Sequence, residues 1–518
     1  MLARVQSFVL RGIDADRCEV EIDHADEGLD RQTMVGLPDA AVRESLERVR
    51  SALANAGYFF PTGRLLINLA PAHVRKEGPV YDLPIALGLL EATKVVRARP
   101  EEGLDHRGYL VAGELALDGR VRPIRGALAM AMHAKERRLR GVILPASNAA
   151  EAAVVDGVEA IGIESVSQLV GLLNGQLEPE PHPPVDVDRL IEETRPPVDF
   201  AEVKGQEPVK RAVTIAAAGL HNMLMLGPAG TGKTMMARAL PGVLPSLTPN
   251  ETLEVTRIYS AAGERARDAS KANGHASVGL VTSRPVRTPH HTASSAAVIG
   301  GGAVPRPGEI SLAHRGILFL DALPEFPRSV LATLRQPLED GNVTVSRAHA
   351  TVEFPARFML VAAMNPTPKG DMPTDAAGRR AMERDLGKLS RPLVDRIDIH
   401  VEAPAVPWKE LSEPTARDAT STAQMRERVH EARLRQRARQ GDPLNAELSG
   451  SQLDEFAPLT DEAKTLLGSA ITELKLSARA YDKIRRVART IADIEGVHDV
   501  AIGHVAEAVQ YRLLDRDV

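Results

Sequence analysis

The chain has 518 residues, of which 43% are hydrophobic, 26% charged and only 3% aromatic. This length predicts about three domains, and the composition is that of a globular protein with an aliphatic core. The net charge of −5 excludes a general attraction for nucleic acid, so any such binding needs a local basic patch.

The cysteine content and the hydropathy of the chain indicate in which cellular compartment it is expected. Cys18 is the only cysteine, which excludes internal disulfides and cysteine-based zinc sites and suits a reducing cytosol. The chain has no recognisable signal peptide and no apolar run of about 18 residues. We therefore expect a cytoplasmic protein without a membrane partner.

Three segments of the predicted first domain, 1–175, resemble a known protein domain. These segments are 67–71, 76–82 and 113–119. They resemble the protease-like domain of Lon and its non-proteolytic relatives, a small α/β fold of the ribosomal S5 domain 2 type. A serine–lysine protease of this kind has its nucleophile just after Gly-Pro and its lysine further on. This chain has Val80 and Tyr81 at the first position and Ala127 and Leu128 at the second. Without nucleophile or base we expect no proteolysis, which leaves packing on the rest of the protein or binding of DNA or a partner.

Two boundaries divide the rest of the chain. The segment 176–199 contains Glu-Pro-Glu-Pro-His-Pro-Pro and Arg-Pro-Pro, which predict an extended linker because proline disfavours helix. Near residue 404, Ala-Pro-Ala-Val-Pro-Trp follows a strand-like run, and the pattern beyond it is helical. We therefore predict an α/β domain at 200–403 and a helical domain at 404–518.

A complete phosphate-loop pattern, G-x-x-x-x-G-K-[ST], lies between a predicted buried strand at 223–226 and a predicted helix at 234–240. Backbone N–H groups of such a loop hold phosphates, the lysine reaches the β- and γ-phosphates, and the final hydroxyl ligates Mg²⁺. The predicted ATP-binding residues are Gly227, Pro228, Ala229, Gly230, Thr231, Gly232, Lys233 and Thr234.

Two further buried strands are predicted at 316–321, which ends in Asp321, and at 358–365, which ends in Asn365. Buried parallel strands with polar residues at their carboxyl ends indicate an open α/β sheet that binds ligands at that edge. Asp321 is the predicted Walker B acid, which holds Mg²⁺ together with Thr234. Between these strands the pattern at 344–354 predicts a β-hairpin.

The residue after Asp321 is unexpected. ATPases of this type usually have Glu there to polarise the attacking water, whereas this chain has Ala322. A methyl group accepts no proton, and loss of a general base typically costs about 10²–10⁴-fold in rate. We expect intact binding of ATP and Mg²⁺ with impaired hydrolysis, since Glu325 could substitute only if the loop rearranged. We interpret Ala322 as a deliberate Glu-to-Ala substitution that traps the ATP state; a naturally weak ATPase is the alternative.

Motifs over nearly the whole chain support one resemblance. They are Gly-Gln-Glu at 205–207, the phosphate loop, Pro-Gly-Glu-Ile-Ser-Leu-Ala-His at 307–314, Leu-Phe-Leu-Asp at 318–321, Asn-Pro at 365–366 and Asp-Arg-Ile-Asp at 395–398. Together they resemble the magnesium-chelatase-like AAA+ ATPases of the ComM/YifB type, and the string at 307–314 is specific to that group. The resemblance implies an AAA+ core with a pore insert and a hairpin, followed by a helical lid.

Three site residues are assigned by this resemblance. Asn365 corresponds to sensor 1, which helps to place the attacking water, and Arg396 to the arginine finger, which points at ATP held by a neighbouring subunit. Arg479 corresponds to the sensor 2 arginine of the lid. A predicted helix around it has one apolar face, with Lys483 and Arg486 beside it in a basic stripe. An arginine finger acting in trans implies an oligomer, and the resemblance implies a homo-hexamer.

The chain departs from the family at two places. Many relatives have a zinc-knuckle pattern that begins Asn-Pro-Cys-Pro-Cys-Gly, whereas residues 365–370 are Asn-Pro-Thr-Pro-Lys-Gly, so we predict no zinc. Relatives usually have Ser-Gly-Pro before the finger, and this chain has Ser-Arg-Pro at 390–392. Arg391 adds positive charge near a ring interface or pore, or is a neutral variation.

The resemblance implies a ring that moves on DNA, a helicase or branch-migration motor of recombination during natural transformation. Such a ring needs positive loops that follow phosphates, and the candidate contacts are Arg347 and His349 of the hairpin and Arg284 and Arg287 of the pore insert. These residues could equally shape a subunit contact. A chelatase motor subunit and a nucleotide-dependent protein remodeller or scaffold are the alternative functions.

Overall fold

The computed structural model describes residues 1–25, 31–96, 103–196, 198–264, 279–302, 305–347, 350–366, 376–408, 420–512 and 514. The chain divides into two compact units, each with its own core. The first comprises Met1–Leu190 and Thr252–Val281, and the second comprises Ile191–Glu251 and Thr282–Val518. The boundaries expected near 175, 199 and 403 stay predictions.

A mixed sheet forms the largest β-structure described in the first unit. Its strands in spatial order are Leu2–Arg11, Asp14–Ala25, Arg64–Ala70 and Arg31–Val35, and only the last two are parallel neighbours. Buried residues alternate with less buried ones from Cys18 to Ala25, as expected of a strand with one face on a core. The shorter strands described in this unit are Tyr109–Val111, Gly141–Pro145, Glu159–Ile163, Glu114–Leu115 and Val121–Arg122.

The central helix of the first unit, Asp82–Ala92, is buried over its whole length. Its residues are apolar on nearly every side, a pattern typical of a core helix. Its first carboxylate, Asp82, is paired with Arg48 at 2.9 Å. The other helices described in this unit are Ala40–Asn55, Ala127–Glu136, Ala146–Ala152, Val166–Leu173 and most of Pro249–Ala262.

A parallel sheet forms the centre of the second unit. Its described strands in spatial order are Val286–Arg287, Ile317–Leu320, Met359–Met364, Met223–Leu226 and Ile399–Glu402. The three strands in the middle are buried at every residue, because a parallel sheet is covered on both faces. The predicted α/β fold with a parallel sheet is therefore confirmed, and the strands form where the sequence predicts them.

Two antiparallel ribbons lie in the same unit. The predicted hairpin is formed by Asn342–Arg347 and Ala350–Pro355, and a smaller ribbon by Gly300–Gly301 and Arg306–Pro307. Apart from Pro249–Ala262, the α-helices described between residues 200 and 400 are Glu207–Gly219, Lys233–Ala239, Ser295–Ile299, Glu309–Leu312, Arg328–Thr333, Arg335–Asp340, Ala376–Leu386 and Arg391–Val394.

The C-terminal region is helical, as predicted. Its described helices are Thr422–Gln440, Gly450–Phe456, Asp461–Glu473, Ala478–Glu495 and Ile502–Gln510. The helix Ala478–Glu495 begins where the Ser477 hydroxyl accepts a hydrogen bond from the Ala480 N–H, and it ends at Gly496 with a left-handed φ of +74°. Its apolar face is buried in the core of the second unit.

The segment expected to be an extended linker is partly helical. The helix Val187–Glu193 forms within it, because the residues between Pro184 and Pro196 include good helix formers. The Asp186 carboxylate accepts a hydrogen bond from the Arg189 N–H at 3.0 Å and so caps the first turn. Within the described ranges, no helix has the length and apolar character needed to cross a bilayer.

Candidate nucleotide site

The phosphate loop adopts a conformation that requires its glycines. It follows the strand Met223–Leu226 and leads into the helix Lys233–Ala239. A Cβ atom on Gly227 would lie 2.1 Å from the Ala403 carbonyl oxygen, so no side chain fits there. Gly230 and Gly232 have φ values of +83° and +85°, a region that other residues rarely adopt. The loop backbone is thus shaped to approach a ligand closely.

Lys233 is held inside this loop. Its Nζ donates to the carbonyl oxygens of Gly227 at 2.7 Å and Pro228 at 2.6 Å, and lies 3.4 Å from Asn365 Oδ1. Burial lowers the pKa of the Lys233 ammonium, and the charge of Asp321 opposes that shift. The structure therefore brings the predicted phosphate-binding lysine and the predicted sensor 1 amide together at one edge of the sheet.

Thr234 and Asp321 meet at the same edge. The Thr234 hydroxyl donates to Asp321 Oδ2 at 3.1 Å, and Asp321 directly follows the strand Ile317–Leu320. A hydroxyl and a carboxylate are hard oxygen ligands of the kind that Mg²⁺ prefers. The residues present therefore fit the predicted Mg²⁺ site, in which Thr234 and Asp321 would hold the ion.

Ala322 has a left-handed backbone, with φ of +52°. Its N–H donates to Asp321 Oδ1 at 2.9 Å, and its carbonyl accepts from the Glu325 N–H at 2.8 Å. These bonds fix the direction in which a side chain at this position would leave the backbone. The Glu325 carboxylate lies 3.7 Å from His291 Nε2, a partner that the sequence analysis did not foresee.

Arg396, the predicted arginine finger, and Arg479, the predicted sensor 2 residue, lie in a separate cluster of charged residues. Arg396 is paired with Glu339, and Arg479 Nη1 lies 3.3 Å from Asp395 Oδ2. Burial lowers the pKa of the Arg396 guanidinium, and the nearby charges of Arg479 and Arg335 lower it further. Sequence reasoning missed Arg335 and Glu339, which lie one turn apart on a short helix without a motif of their own.

Two of the four candidate DNA contacts have side-chain partners within the protein. Arg284 is buried, and its guanidinium donates to the carbonyl oxygens of Pro245 and Arg315 and is paired with Glu251 at 3.3 Å. Arg287 is paired with Glu309 at 2.6 Å. Both guanidiniums are thus engaged within the protein. Arg347 ends the first strand of the hairpin, and His349 lies outside the described residues.

Family models match most of the chain. The model described as magnesium chelatase, subunit ChlI, matches residues 199–411. The models described as subunit ChlI of Mg-chelatase and as its C-terminal part match residues 20–148 and 419–512. The competence protein ComM of Haemophilus influenzae is 41% identical over 520 residues, which cover 99% of this chain and 98% of that protein. The chain belongs to the magnesium-chelatase-like family of ComM and YifB.

Other relatives define the breadth of this family. The uncharacterized protein YifB of Escherichia coli is also 41% identical, and the match covers 98% of its length. The chloroplastic magnesium-chelatase subunit ChlI-2 of Arabidopsis thaliana is 24% identical over 59% of this chain. Membership of this family implies ATPase activity with use of nucleotide and Mg²⁺. The Lon-like assignment of the N-terminal domain stays a prediction, as does the absence of zinc, since Thr367 and Lys369 lie outside the described residues.

We expect Lys233→Ala to raise the dissociation constant for ATP by about 10- to 100-fold, because a hydrogen-bonded charge contributes about 1.5–3 kcal/mol. Isothermal titration calorimetry with ATP and Mg²⁺ measures this constant. Lys388→Ala, which removes an exposed lysine paired with Asp385, serves as the control and should bind as the parent does. Tight ATP binding retained by Lys233→Ala would show that the loop has been assigned wrongly.

Proposed function

We propose that the chain is an ATP-dependent, ring-forming DNA motor of the helicase or branch-migration type, acting in DNA recombination. ATP binding in this proposal rests on one observation. Four residues lie together at one edge of the sheet, namely Lys233, Asn365, Thr234 and Asp321. Action on DNA rests on the resemblance to the ComM type. It is supported by a relative, named a competence protein, that is similar over 99% of the chain.

In this proposal each described group has one task. Lys233 exchanges its loop carbonyl partners for the β- and γ-phosphates of ATP, and Asn365 orients the attacking water. Mg²⁺ held by Thr234 and Asp321 would neutralise phosphate charge. Ala322 leaves no group to accept the water proton, so the chain binds ATP and hydrolyses it slowly.

The arginine cluster supports action between subunits. The partners of Arg396 and Arg479 are Glu339 and Asp395, which lie outside the phosphate loop of their own chain. Anionic partners of this kind can be replaced by the phosphates of ATP bound to an adjacent copy, where Arg396 would act as the finger. A homo-hexameric ring follows from the family resemblance, with Arg479 beside the finger at each interface.

The two alternative functions require different binding partners. A chelatase motor needs a tight complex with a porphyrin-binding subunit, and the relatives named as magnesium-chelatase subunits match only 59% and 40% of this chain. A protein remodeller or scaffold needs ATP-dependent capture of a protein client and no salt-sensitive binding to DNA. These properties distinguish the three functions by experiment.

The test is fluorescence anisotropy of the chain on forked and linear DNA with ATP and Mg²⁺ at moderate salt. We expect ATP-dependent binding whose affinity falls as salt rises, because contacts with phosphates release counterions. Absence of DNA binding under these conditions would contradict the DNA motor and favour the chelatase or scaffold functions.

Arg347 of the hairpin is one of the candidates for a DNA contact. We expect Arg347→Gln to weaken DNA binding and to make the slope of log affinity against log salt shallower. The change should be about 0.9 for each duplex phosphate that is no longer neutralised, or about 0.7 on a single strand. Arg437→Gln, which changes an exposed arginine of the helix Thr422–Gln440, is the matched control. An unchanged slope for Arg347→Gln would remove the hairpin from the DNA path.

A further inference from the structure

The turn that carries Arg396, residues 395–398, is held by the lid helix Ala478–Glu495 through two cationic side chains. Arg479 Nη1 lies 3.3 Å from Asp395 Oδ2, at the start of the turn. Lys483 Nζ donates to the Ile397 carbonyl oxygen at 2.9 Å and lies 3.3 Å from Asp398 Oδ1, at its end. Residues four apart on a helix project from the same side. The lid helix therefore contacts both ends of the finger turn.

The pair of Lys483 and Asp398 is buried, with side-chain exposures of 8% and 10%. The second carboxylate oxygen of Asp398 lies 3.3 Å from His221 Nδ1. Burial alone would raise the pKa of the Asp398 carboxyl, but the charge of Lys483, the hydrogen bond with His221 and the charge of Arg512 outweigh it and hold the pKa far below its usual range. The carboxylate is therefore charged, and removal of Lys483 would leave that charge buried without its main partner.

Further hydrogen bonds hold the same turn from the sheet. Asn222 Nδ2 donates to the Arg396 carbonyl oxygen at 2.9 Å, and the Asn222 side-chain oxygen accepts from the Leu360 N–H at 2.8 Å. Asn222 directly precedes the strand Met223–Leu226, which leads to the phosphate loop. Arg512 Nη1 also donates to the Ile397 carbonyl oxygen, at 2.7 Å. The backbone of the turn is thus hydrogen-bonded to the edge of the sheet and to the C-terminal region as well as to the lid helix.

We propose that Lys483 and Asp398 are positioning residues that hold the turn bearing Arg396 against the lid helix and so set where Arg396 lies. This inference rests on the proposed function, in which Arg396 contacts ATP held by a neighbouring copy. Separation of the turn from the lid would break a buried ion pair and the Lys483 hydrogen bond to Ile397. Loss of this pair would therefore displace Arg396 from the nucleotide of the next subunit.

The test compares Asp398→Asn and Lys483→Met with the parent and with Arg396→Ala. For both positioning variants we expect ATP-dependent assembly to need a subunit concentration at least about tenfold higher, because a bond to a charged group contributes about 1.5–3 kcal/mol. Light scattering over a range of subunit concentrations measures assembly. The affinity for a fluorescent ATP analogue, measured below the assembly concentration, should be unchanged because the phosphate loop is intact.

A thermodynamic cycle distinguishes positioning from a general loss of stability. Lys483→Met added to Arg396→Ala should weaken assembly no further, because Lys483 acts through Arg396. Lys483→Arg, which keeps the charge, should restore most of the assembly. The structural control is Arg439→Gln, which breaks the ion pair of 2.6 Å between Arg439 and the buried Asp493 without touching the finger turn. It should lower the melting temperature and leave assembly unchanged at temperatures below the transition.

The outcomes separate this inference from the proposed function. If Arg396→Ala impairs assembly and the two positioning variants do not, the inference is wrong and the proposed function stands. If Arg396→Ala itself assembles like the parent, the proposed trans-acting finger is wrong. Loss of ATP-analogue binding by Lys483→Met and Asp398→Asn, or equal loss of assembly in Arg439→Gln, would show that the pair acts only through stability and would overturn the inference.

Discussion

Ala322→Glu is expected to raise the rate of ATP turnover by about 10²- to 10⁴-fold, the usual contribution of a general base. In the proposed site Asp321, Lys233, Thr234 and Asn365 already lie together, so the substitution would add the general base. A coupled assay of ADP release measures turnover, with and without DNA. We expect DNA to stimulate the restored activity, since the proposed motor couples hydrolysis to movement on DNA.

The backbone at this position tolerates the substitution. Ala322 has φ of +52°, a strained region for any residue with a Cβ, so glutamate adds no new backbone strain. Ala322→Gln is the matched control, because its amide has nearly the same shape and accepts no proton. It should turn over ATP as slowly as the parent. Equal turnover in Ala322→Glu and the parent would mean that hydrolysis in this chain uses another base, and Glu325 would be the first to test.

The nucleotide site could be predicted from the sequence because its residues follow local rules. A phosphate loop is continuous in sequence, and Asp321 and Asn365 end buried apolar runs whose carboxyl ends meet at one sheet edge. The observed contacts, Thr234 to Asp321 at 3.1 Å and Lys233 to Asn365 at 3.4 Å, lie at the edge where the parallel order places these carboxyl ends. The α/β fold class followed from the same apolar runs.

The contacts around the arginines could not be predicted in this way. Lys483 and Asp398 lie far apart in sequence, and Arg396 and Glu339 lie on elements with no motif that relates them. The charge of Arg284 alone indicates a cation available to DNA, whereas its hydrogen bonds to the carbonyl oxygens of Pro245 and Arg315 depend on tertiary packing. Assignment of Thr252–Val281 to the first unit likewise depends on long-range contacts.

Arg396→Ala is expected to lower turnover by about 10³- to 10⁵-fold when it is combined with Ala322→Glu, the usual contribution of an arginine finger. In the parent background, which we propose to hydrolyse ATP slowly, the same change should weaken ATP-dependent assembly. Each interface would lack the bond between a guanidinium and the phosphate of a neighbour. Arg380→Ala, at an exposed position of the helix Ala376–Leu386, is the control and should behave as the parent.

Mixing two inactive variants tests whether Arg396 acts between copies. In the Ala322→Glu background, at an ATP concentration below its raised dissociation constant, a Lys233→Ala chain is mostly free of ATP and still carries Arg396, whereas an Arg396→Ala chain binds ATP and lacks the finger. A mixture should regain turnover if the finger acts in trans, because one chain supplies what the other lacks. No recovery, together with an unchanged hexamer fraction for Arg396→Ala by light scattering, would contradict the trans assignment.

A substitution of Glu339 should have the opposite effect on assembly to a substitution of Arg396. Glu339 is the carboxylate paired with Arg396 in this chain, so in the proposed function it would compete with the phosphate for the guanidinium. Glu339→Gln should therefore strengthen ATP-dependent assembly, whereas Arg396→Ala weakens it. Because both substitutions break the same ion pair, a pair that served only stability would give both variants the same defect. Opposite effects on assembly would instead identify Arg396 as a group that leaves Glu339 for the nucleotide of a neighbour.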